Sequence, residues 1–291
     1  MTLLSAVDEY IIFLITEKGN NQSTIKAYEK DLNDFIKVVS NREIEKLTDN
    51  DILEYLRNLK ENGYKTTSIK RKMTPIISLM NYLKKNYNIN INNPDLKKLK
   101  TPRRLPVYLT NEEIRNLLSA VDKKTGQGTL DYMMILTAYY LGLRVSELVS
   151  LRKDHIFFDG GYVKIYGKGN KERILPLSDE LKDMMVYYLQ NYRNGIKDNE
   201  LLFFVHKDGS LVSRQYIFLR LKHYAKDAGI EKNISPHTLR HSFATALINN
   251  GAKVRQVQSL LGHSDIKATE IYTHLSHEKE KNEYEKAMKR K

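Results

Sequence analysis

The chain has 291 residues, 41% of them hydrophobic and 29% charged, with 14 Gly, 6 Pro and no Cys. That length suits two domains, and the composition excludes collagen-like, low-complexity and disulfide-scaffold proteins together with Cys nucleophiles, Cys-ligated zinc and iron–sulfur clusters. The formal net charge of +13, from 48 Lys and Arg against 35 Asp and Glu, speaks to partners and solubility rather than to fold.

The first hundred residues read as helices. Leu4, Val7, Ile11 and Leu14 share one helical face ahead of Gly19, and Ile25, Tyr28, Leu32, Phe35, Ile36 and Val39 repeat the spacing after a Ser23 or Thr24 cap. Thr48 caps a third helix that carries Ile52, Tyr55, Leu56 and Leu59 and ends near Gly63. A fourth runs from about Thr67 to Tyr87, with Ile69, Met73, Ile76, Ile77, Met80 and Leu83 facing inward and Lys65, Lys70, Arg71 and Lys72 facing out at its start. Pro75 is placed to kink it. Residues 1–88 are therefore expected to form a small helical bundle. Its charge is divided: residues 1–56 hold 6 basic and 11 acidic side chains, and residues 57–104 hold 13 basic and 2 acidic. So dense a basic segment could neutralise many phosphates.

From residue 89 to 107 the periodicity disappears and Pro94, Pro102 and Pro106 stand among Lys97, Lys98, Lys100, Arg103 and Arg104, the composition of an extended basic linker. Thr110-Asn-Glu-Glu113 is a capping box that opens a second domain, residues 108–291. Helical spacing holds through Leu151, then the period changes to two. His155–Phe158, Tyr162–Tyr166 and Arg173–Leu177 read as a small antiparallel sheet turning at Asp159-Gly-Gly161 and at Gly167-Lys-Gly-Asn-Lys171. Helices are expected to resume from Ser178 to the end. The apolar stretches Tyr10 to Ile15 and Met133 to Leu141 are far shorter than the roughly 20 residues that cross a bilayer, and no basic-then-apolar leader opens the chain. The expectation is a cytoplasmic protein without a membrane partner.

Three segments set polar side chains in apolar frames: Leu141-Gly-Leu-Arg-Val-Ser-Glu-Leu148, His237-Thr-Leu-Arg-His241, and Leu261-Gly-His-Ser-Asp265 followed by Glu270-Ile-Tyr-Thr-His274. Arg144 follows Leu141 and Leu143 where a helix restarts, so its head needs an anion, whether a ligand or Glu147 one turn on. His237 and Arg240 share a helix face with Pro236 in the first turn. His237 and His241 have the spacing of two zinc ligands, but Thr238 stands where a metalloprotease base would be and no carboxylate follows. Gly167-Lys168-Gly169 lacks the remainder of a P-loop. No metal or other cofactor is expected.

Together, two arginines, two or three histidines, a hairpin lysine and a tyrosine suit attack on a phosphodiester. Guanidiniums can clamp the non-bridging oxygens and stabilise the charge that grows in the transition state. A lysine on a turn can protonate the departing alkoxide, and histidines can move protons or hold the phosphate. Tyrosine can be the nucleophile, although its ordinary pKa of about 10 requires a base or nearby cations. A phosphotyrosyl ester would conserve the energy of the broken bond, so that rejoining needs no ATP.

Arg144 in its Leu-Gly-Leu-Arg-Val-Ser-Glu-Leu frame, His237-x-x-Arg240, Leu261-Gly-His263 and Ile271-Tyr272-Thr-His274 resemble, in order and spacing, the signature of the tyrosine recombinases, or phage integrase family. The resemblance covers the whole chain and is greatest to the Xer branch, with no arm-binding domain ahead of Leu3; Ala268-Thr269-Glu270 departs from that branch's usual wording. It implies a mainly α fold, with a SAM-like four-helix core-binding domain and a catalytic domain containing the small sheet. It further implies that Arg144 and Arg240 bind the scissile phosphate, that Tyr272 is the nucleophile, and that Lys168 protonates the leaving 5′-hydroxyl. His237 and His263 would serve acid–base and phosphate contacts, with either able to move the proton, and Glu147 would support the site. Lys65, Lys70, Arg71, Lys72, Arg103, Arg104 and Arg214 are candidate DNA contacts.

The implied activity is site-specific recombination of double-stranded DNA through a 3′-phosphotyrosyl intermediate and a Holliday junction. Four protomers would act together, the two domains closing around the duplex, with residues 276–291 docking on a neighbouring protomer and a paralogue or translocase as possible partner. Xer-like resolution of chromosome or plasmid dimers is the leading role. The alternatives are an integrase or excisionase of a virus or mobile element, a topoisomerase-like relaxing enzyme, and a non-catalytic architectural DNA-binding protein.

Overall fold

The computed structural model describes residues 1–18, 22–92, 94–96, 99, 107–167 and 172–262. The chain divides into two compact units, Met1–Arg104 and Leu105–Lys291.

The first unit is built from helices α1 (Leu3–Thr16), α2 (Gln22–Val39), α3 (Asp49–Glu61) and α4 (Thr66–Tyr87). Thr48 caps α3 as the sequence anticipates, with Asp51 accepting a hydrogen bond from the Thr48 backbone at 2.7 Å, whereas α2 begins at Gln22, so that Ser23 and Thr24 lie inside it rather than capping it. Leu3, Tyr10, Leu32, Phe35, Ile52, Tyr55, Met73, Ile76, Leu79 and Leu83 bury the shared apolar faces, and the 3.6-residue spacing of these side chains is what drives the four helices together. α4 continues through Pro75, which is buried within it. The start of the expected linker is not free of this unit. Ile91 is buried, and the Asn92 backbone donates to Asp49 at 2.8 Å.

Lys72 corrects one expectation. It is not on the outer face of α4: its side chain is 7% exposed, and its ammonium lies 3.1 Å from Asp31 and 2.9 Å from Asp34 of α2. A buried cation requires such partners. Arg71 also pairs with Asp31, through both terminal nitrogens at 2.6 and 3.1 Å, but keeps an exposed head.

In the second unit, α5 (Asn111–Ser119) begins at the Thr110–Glu113 capping box, whose two bonds measure 2.7 and 3.1 Å. Helix α6 (Gly126–Tyr140) is apolar nearly all round and is buried accordingly, with Leu130, Met133, Met134, Ile135, Leu136 and Ala138 at the centre of the core. Around it pack α7 (Val145–Val149), α8 (Asp179–Tyr188), α9 (Arg214–Asp227) and α10 (Pro236–Asn249); α11 (Val254–Leu261) packs on α10. The sheet is antiparallel in the order β1 (Ile156–Phe157), β2 (Tyr162–Tyr166), β3 (Glu172–Pro176), with Val163 opposite Leu175 and Ile165 opposite Arg173. Among the described residues the fold is thus mainly helical with one small sheet.

Helices do not run unbroken from Ser178. Between Arg193 and α9 the chain is irregular, because the buried Arg193 guanidinium donates to the carbonyls of Ile196, Asn199 and Leu202 at 2.9, 3.0 and 3.0 Å. Those carbonyls would otherwise be available to a helix.

Candidate active site

The site begins where α6 stops. Gly142 adopts φ +56°, its N–H donates to the Tyr139 carbonyl at 3.2 Å, and the Leu143 N–H reaches back to the Ala138 carbonyl at 3.2 Å. This left-handed helix end reverses the chain and delivers Arg144 as the N-cap of α7. Only glycine fits here, since a Cβ at residue 142 would come within 2.4 Å of Phe243 on α10.

Phe243 and Arg240 lie three residues apart on α10, so the contact that seats the helix also aims Arg240. Arg240 is 7% exposed. Its Nη1 donates to the Gly142 carbonyl at 2.7 Å, and its Nη2 donates to the Leu261 carbonyl at the end of α11. Pro236 lies in the first turn of α10 as the sequence anticipates, behind Ser235 as N-cap, and His237 stands exposed in the same turn, one turn before Arg240. His241 turns elsewhere and packs edge-on against Tyr108, with centroids 6.2 Å apart.

Glu147 joins these pieces. Its carboxylate accepts from the Arg144 backbone N–H and from Arg144 Nη1, each at 2.8 Å. Arg173, on β3, donates to both oxygens at 2.8 and 2.7 Å, and Arg240 Nη1 lies 3.9 Å away. Burial disfavours the charged carboxylate, but Arg173 and then Arg144 overcome it and hold the pKa down at about 2. The same crowding acts in reverse on Arg240. Burial first, then Arg144 and Arg173, lower its pKa to about 10. It remains a cation at neutral pH, in surroundings that favour the arrival of an anion.

Arg144, Arg240 and Glu147 are therefore brought together, with His237 one turn away. Arg173 lies outside the motifs that carry the family resemblance. Its signal was available: on a strand, residue 173 shares a face with Leu175, so this arginine points to the buried side and needs a carboxylate there. Lys168, His263 and Tyr272 lie outside the described residues. Their described neighbours are the ends of β2 and β3, at Tyr166 and Glu172, and Gly262, which caps α11 with φ +66°.

Of the candidate DNA contacts, Lys65 is exposed ahead of α4, Lys70 is half-buried and Arg71 exposed, whereas Lys72 is interior. Arg214 is exposed at the first position of α9, where Ser213 accepts from the Tyr216 backbone at 3.0 Å. Arg103, Arg104 and residues 276–291 lie outside the described residues.

Comparison with known proteins matches residues 107–279 to the phage integrase family and residues 7–86 to the phage integrase N-terminal SAM-like domain. The chain belongs to the phage integrase family, the tyrosine recombinases. It is 38% identical to the tyrosine recombinase XerD of Listeria innocua over 283 residues, covering 93% of this chain and 94% of that protein. It is 35% identical to XerD of Haemophilus influenzae over 294 residues, covering 98% of each. Among solved structures, the XerH site-specific recombinase bound to its palindromic difH substrate in a post-cleavage complex is similar, with a TM-score of 0.70 and 24% identity over 91% of this chain and 80% of that one. The last likeness speaks to fold alone.

Proposed function

We propose that this tyrosine recombinase cuts and rejoins DNA at a defined site through a covalent 3′-phosphotyrosyl intermediate, with a Holliday junction between the two strand exchanges. The observation that carries the reading is the charge balance around Glu147: among the described residues, three guanidiniums meet one carboxylate. About two positive charges are left over, which suits a phosphodiester whose single negative charge becomes two as the nucleophile adds. Arg144 and Arg240 clamp the non-bridging oxygens. Their remaining N–H groups supply the bonds, since a guanidinium has five and Arg240 commits two to carbonyls.

In the cleavage step the Tyr272 hydroxyl gives its proton to His237 or His263 as its oxygen bonds to phosphorus, the bond to the 5′-oxygen breaks, and Lys168 gives that oxygen a proton. His237 and His263 hold the phosphate and pass protons. Rejoining reverses the step with an incoming 5′-hydroxyl. The first unit and residues 89–107 add non-specific phosphate contacts through Lys65, Lys70, Arg71, Arg103 and Arg104, while Arg214 serves the catalytic unit. We infer a tetramer on two duplexes, with residues 276–291 docking between protomers, in a cytoplasmic protein that resolves chromosome or plasmid dimers in the Xer manner.

Covalent capture tests the reading. The full chain is incubated with nicked fragments of its host genome and denatured, and the attached DNA is sequenced. One enriched site, linked to Tyr272 by mass spectrometry and lost in Tyr272→Phe, is expected. A chromosomal site supports dimer resolution, a site bounding a mobile element supports an integrase, and binding without any adduct would sink the catalytic reading. The phosphate contacts are checked by the salt dependence of DNA affinity. Lys65→Ala is expected to lower the slope of log affinity against log salt by about 1. Lys72→Met is expected to leave it unchanged, because its ammonium is occupied by Asp31 and Asp34.

A further inference from the structure

Three arginines surround Glu147, and they do not share it equally. Arg173 takes both oxygens and also donates Nε to the Leu260 carbonyl at 2.9 Å, so three of its N–H groups are committed and its side chain is 10% exposed. With the two bonds from Arg144, the carboxylate accepts four donors, which fills it. Arg144, with one side-chain bond to Glu147 and 35% exposure, keeps most of its donors open. Arg240 stands off at 3.9 Å.

We propose that Arg173 is a positioning residue of the site: by saturating Glu147 it keeps Arg144 and Arg240 available to the scissile phosphate. The inference rests on the phosphate-clamp reading above. Its physical basis is competition. A buried carboxylate with vacant lone pairs draws in the nearest cations, and without Arg173 these are the two clamp arginines. The surplus charge facing the phosphate would at the same time fall from about two to about one. Among the described residues, the charged groups that face Glu147 are Arg144 from α7, Arg173 from β3 and Arg240 from α10. Removing the carboxylate together with Arg173 should therefore restore the rate under conditions where every variant is fully folded, which separates positioning from stability.

The test measures adduct formation by the full-length protein on a nicked duplex carrying the site recovered by covalent capture, at saturating protein and with thermal unfolding recorded for each variant. Arg173→Gln is expected to slow the reaction by about 100-fold, the scale of a misaligned reacting geometry. The Arg173→Gln/Glu147→Gln double variant should regain at least about tenfold of that loss.

A double variant as slow as Arg173→Gln, or slower, would overturn the proposal. Should Arg173→Gln fail to fold, the double variant is compared with Glu147→Gln alone: rates within about threefold are expected, because Arg173 then has no carboxylate to saturate. A further tenfold loss would assign Arg173 a direct contact with the phosphate and end the proposal. The two readings fail separately. If the parent chain forms no Tyr272 adduct, the clamp reading falls and this inference with it; if the parent reacts and Arg173→Gln reacts equally well, only the role of Arg173 is lost.

Discussion

Arg240→Ala is expected to slow strand cleavage by about a thousandfold or more, while DNA affinity stays within about threefold of the parent. The two quantities separate because they rest on different groups. Affinity is spread over many phosphate contacts along the duplex, and one buried arginine adds little to it. The cleavage step concentrates charge on one phosphorus, next to a guanidinium that is already desolvated and whose lowered pKa of about 10 reflects burial and its cationic neighbours. An anion relieves that unfavourable setting, and a transition state with more negative charge relieves it further. Alanine also strips the donors from the Gly142 and Leu261 carbonyls, so thermal unfolding must be measured beside the rate. Arg240→Lys separates the two effects. It keeps a positive charge but not the fork that reaches both carbonyls and the phosphate, and cleavage should remain at least about 100-fold down. The measurement is single-turnover adduct formation on the captured site at saturating protein; normal cleavage there, with weakened binding, would remove Arg240 from the reaction.

Much of this site was legible in the sequence because its frame is made of short-range signals. Leu141 and Leu143 mark where a helix restarts, Pro236 marks a helix start, and Arg144 and Arg240 stand close to these signals. The helices of the first unit declare themselves through apolar spacing and through Thr48. What was not read depended on which way a charge points. Lys72 looked like one more residue of a basic run, yet it lies three residues after Ile69 and four before Ile76, and so shares their inward face. Its partners Asp31 and Asp34 belong to a different helix, which no local pattern reveals. Arg173 is the same case on a strand, where alternation with Leu175 turns it inward and its carboxylate comes from α7. The irregular stretch after α8 was hidden for a related reason: a single buried side chain, Arg193, gathers carbonyls that no sequence window shows together.

Glu147 also predicts how the catalytic unit responds to acid. Its carboxyl pKa is about 2 in the fold against 4.5 for an unperturbed group, a difference that corresponds to about 3 kcal/mol of stability when the group is fully ionised. The folded pKa is the lower one. The stabilisation is therefore present above the unfolded value of 4.5 and is lost as pH falls from there toward 2. The thermal midpoint of the catalytic unit should decline through this window. Glu147→Gln should be less stable by about 3 kcal/mol at pH 7 and should lose that part of the slope. At pH 7 the variant leaves three guanidiniums facing one another around a neutral amide; the parent approaches the same condition only near pH 2, so the gap between the two unfolding curves should narrow steadily as pH falls from 4.5. Adding Arg173→Gln to Glu147→Gln removes one of the three charges and should recover part of the loss. Calorimetry of the parent, Glu147→Gln and the double variant between pH 7 and pH 3 decides the matter: parallel curves for parent and single variant would show that the carboxylate is not what the arginines hold in place.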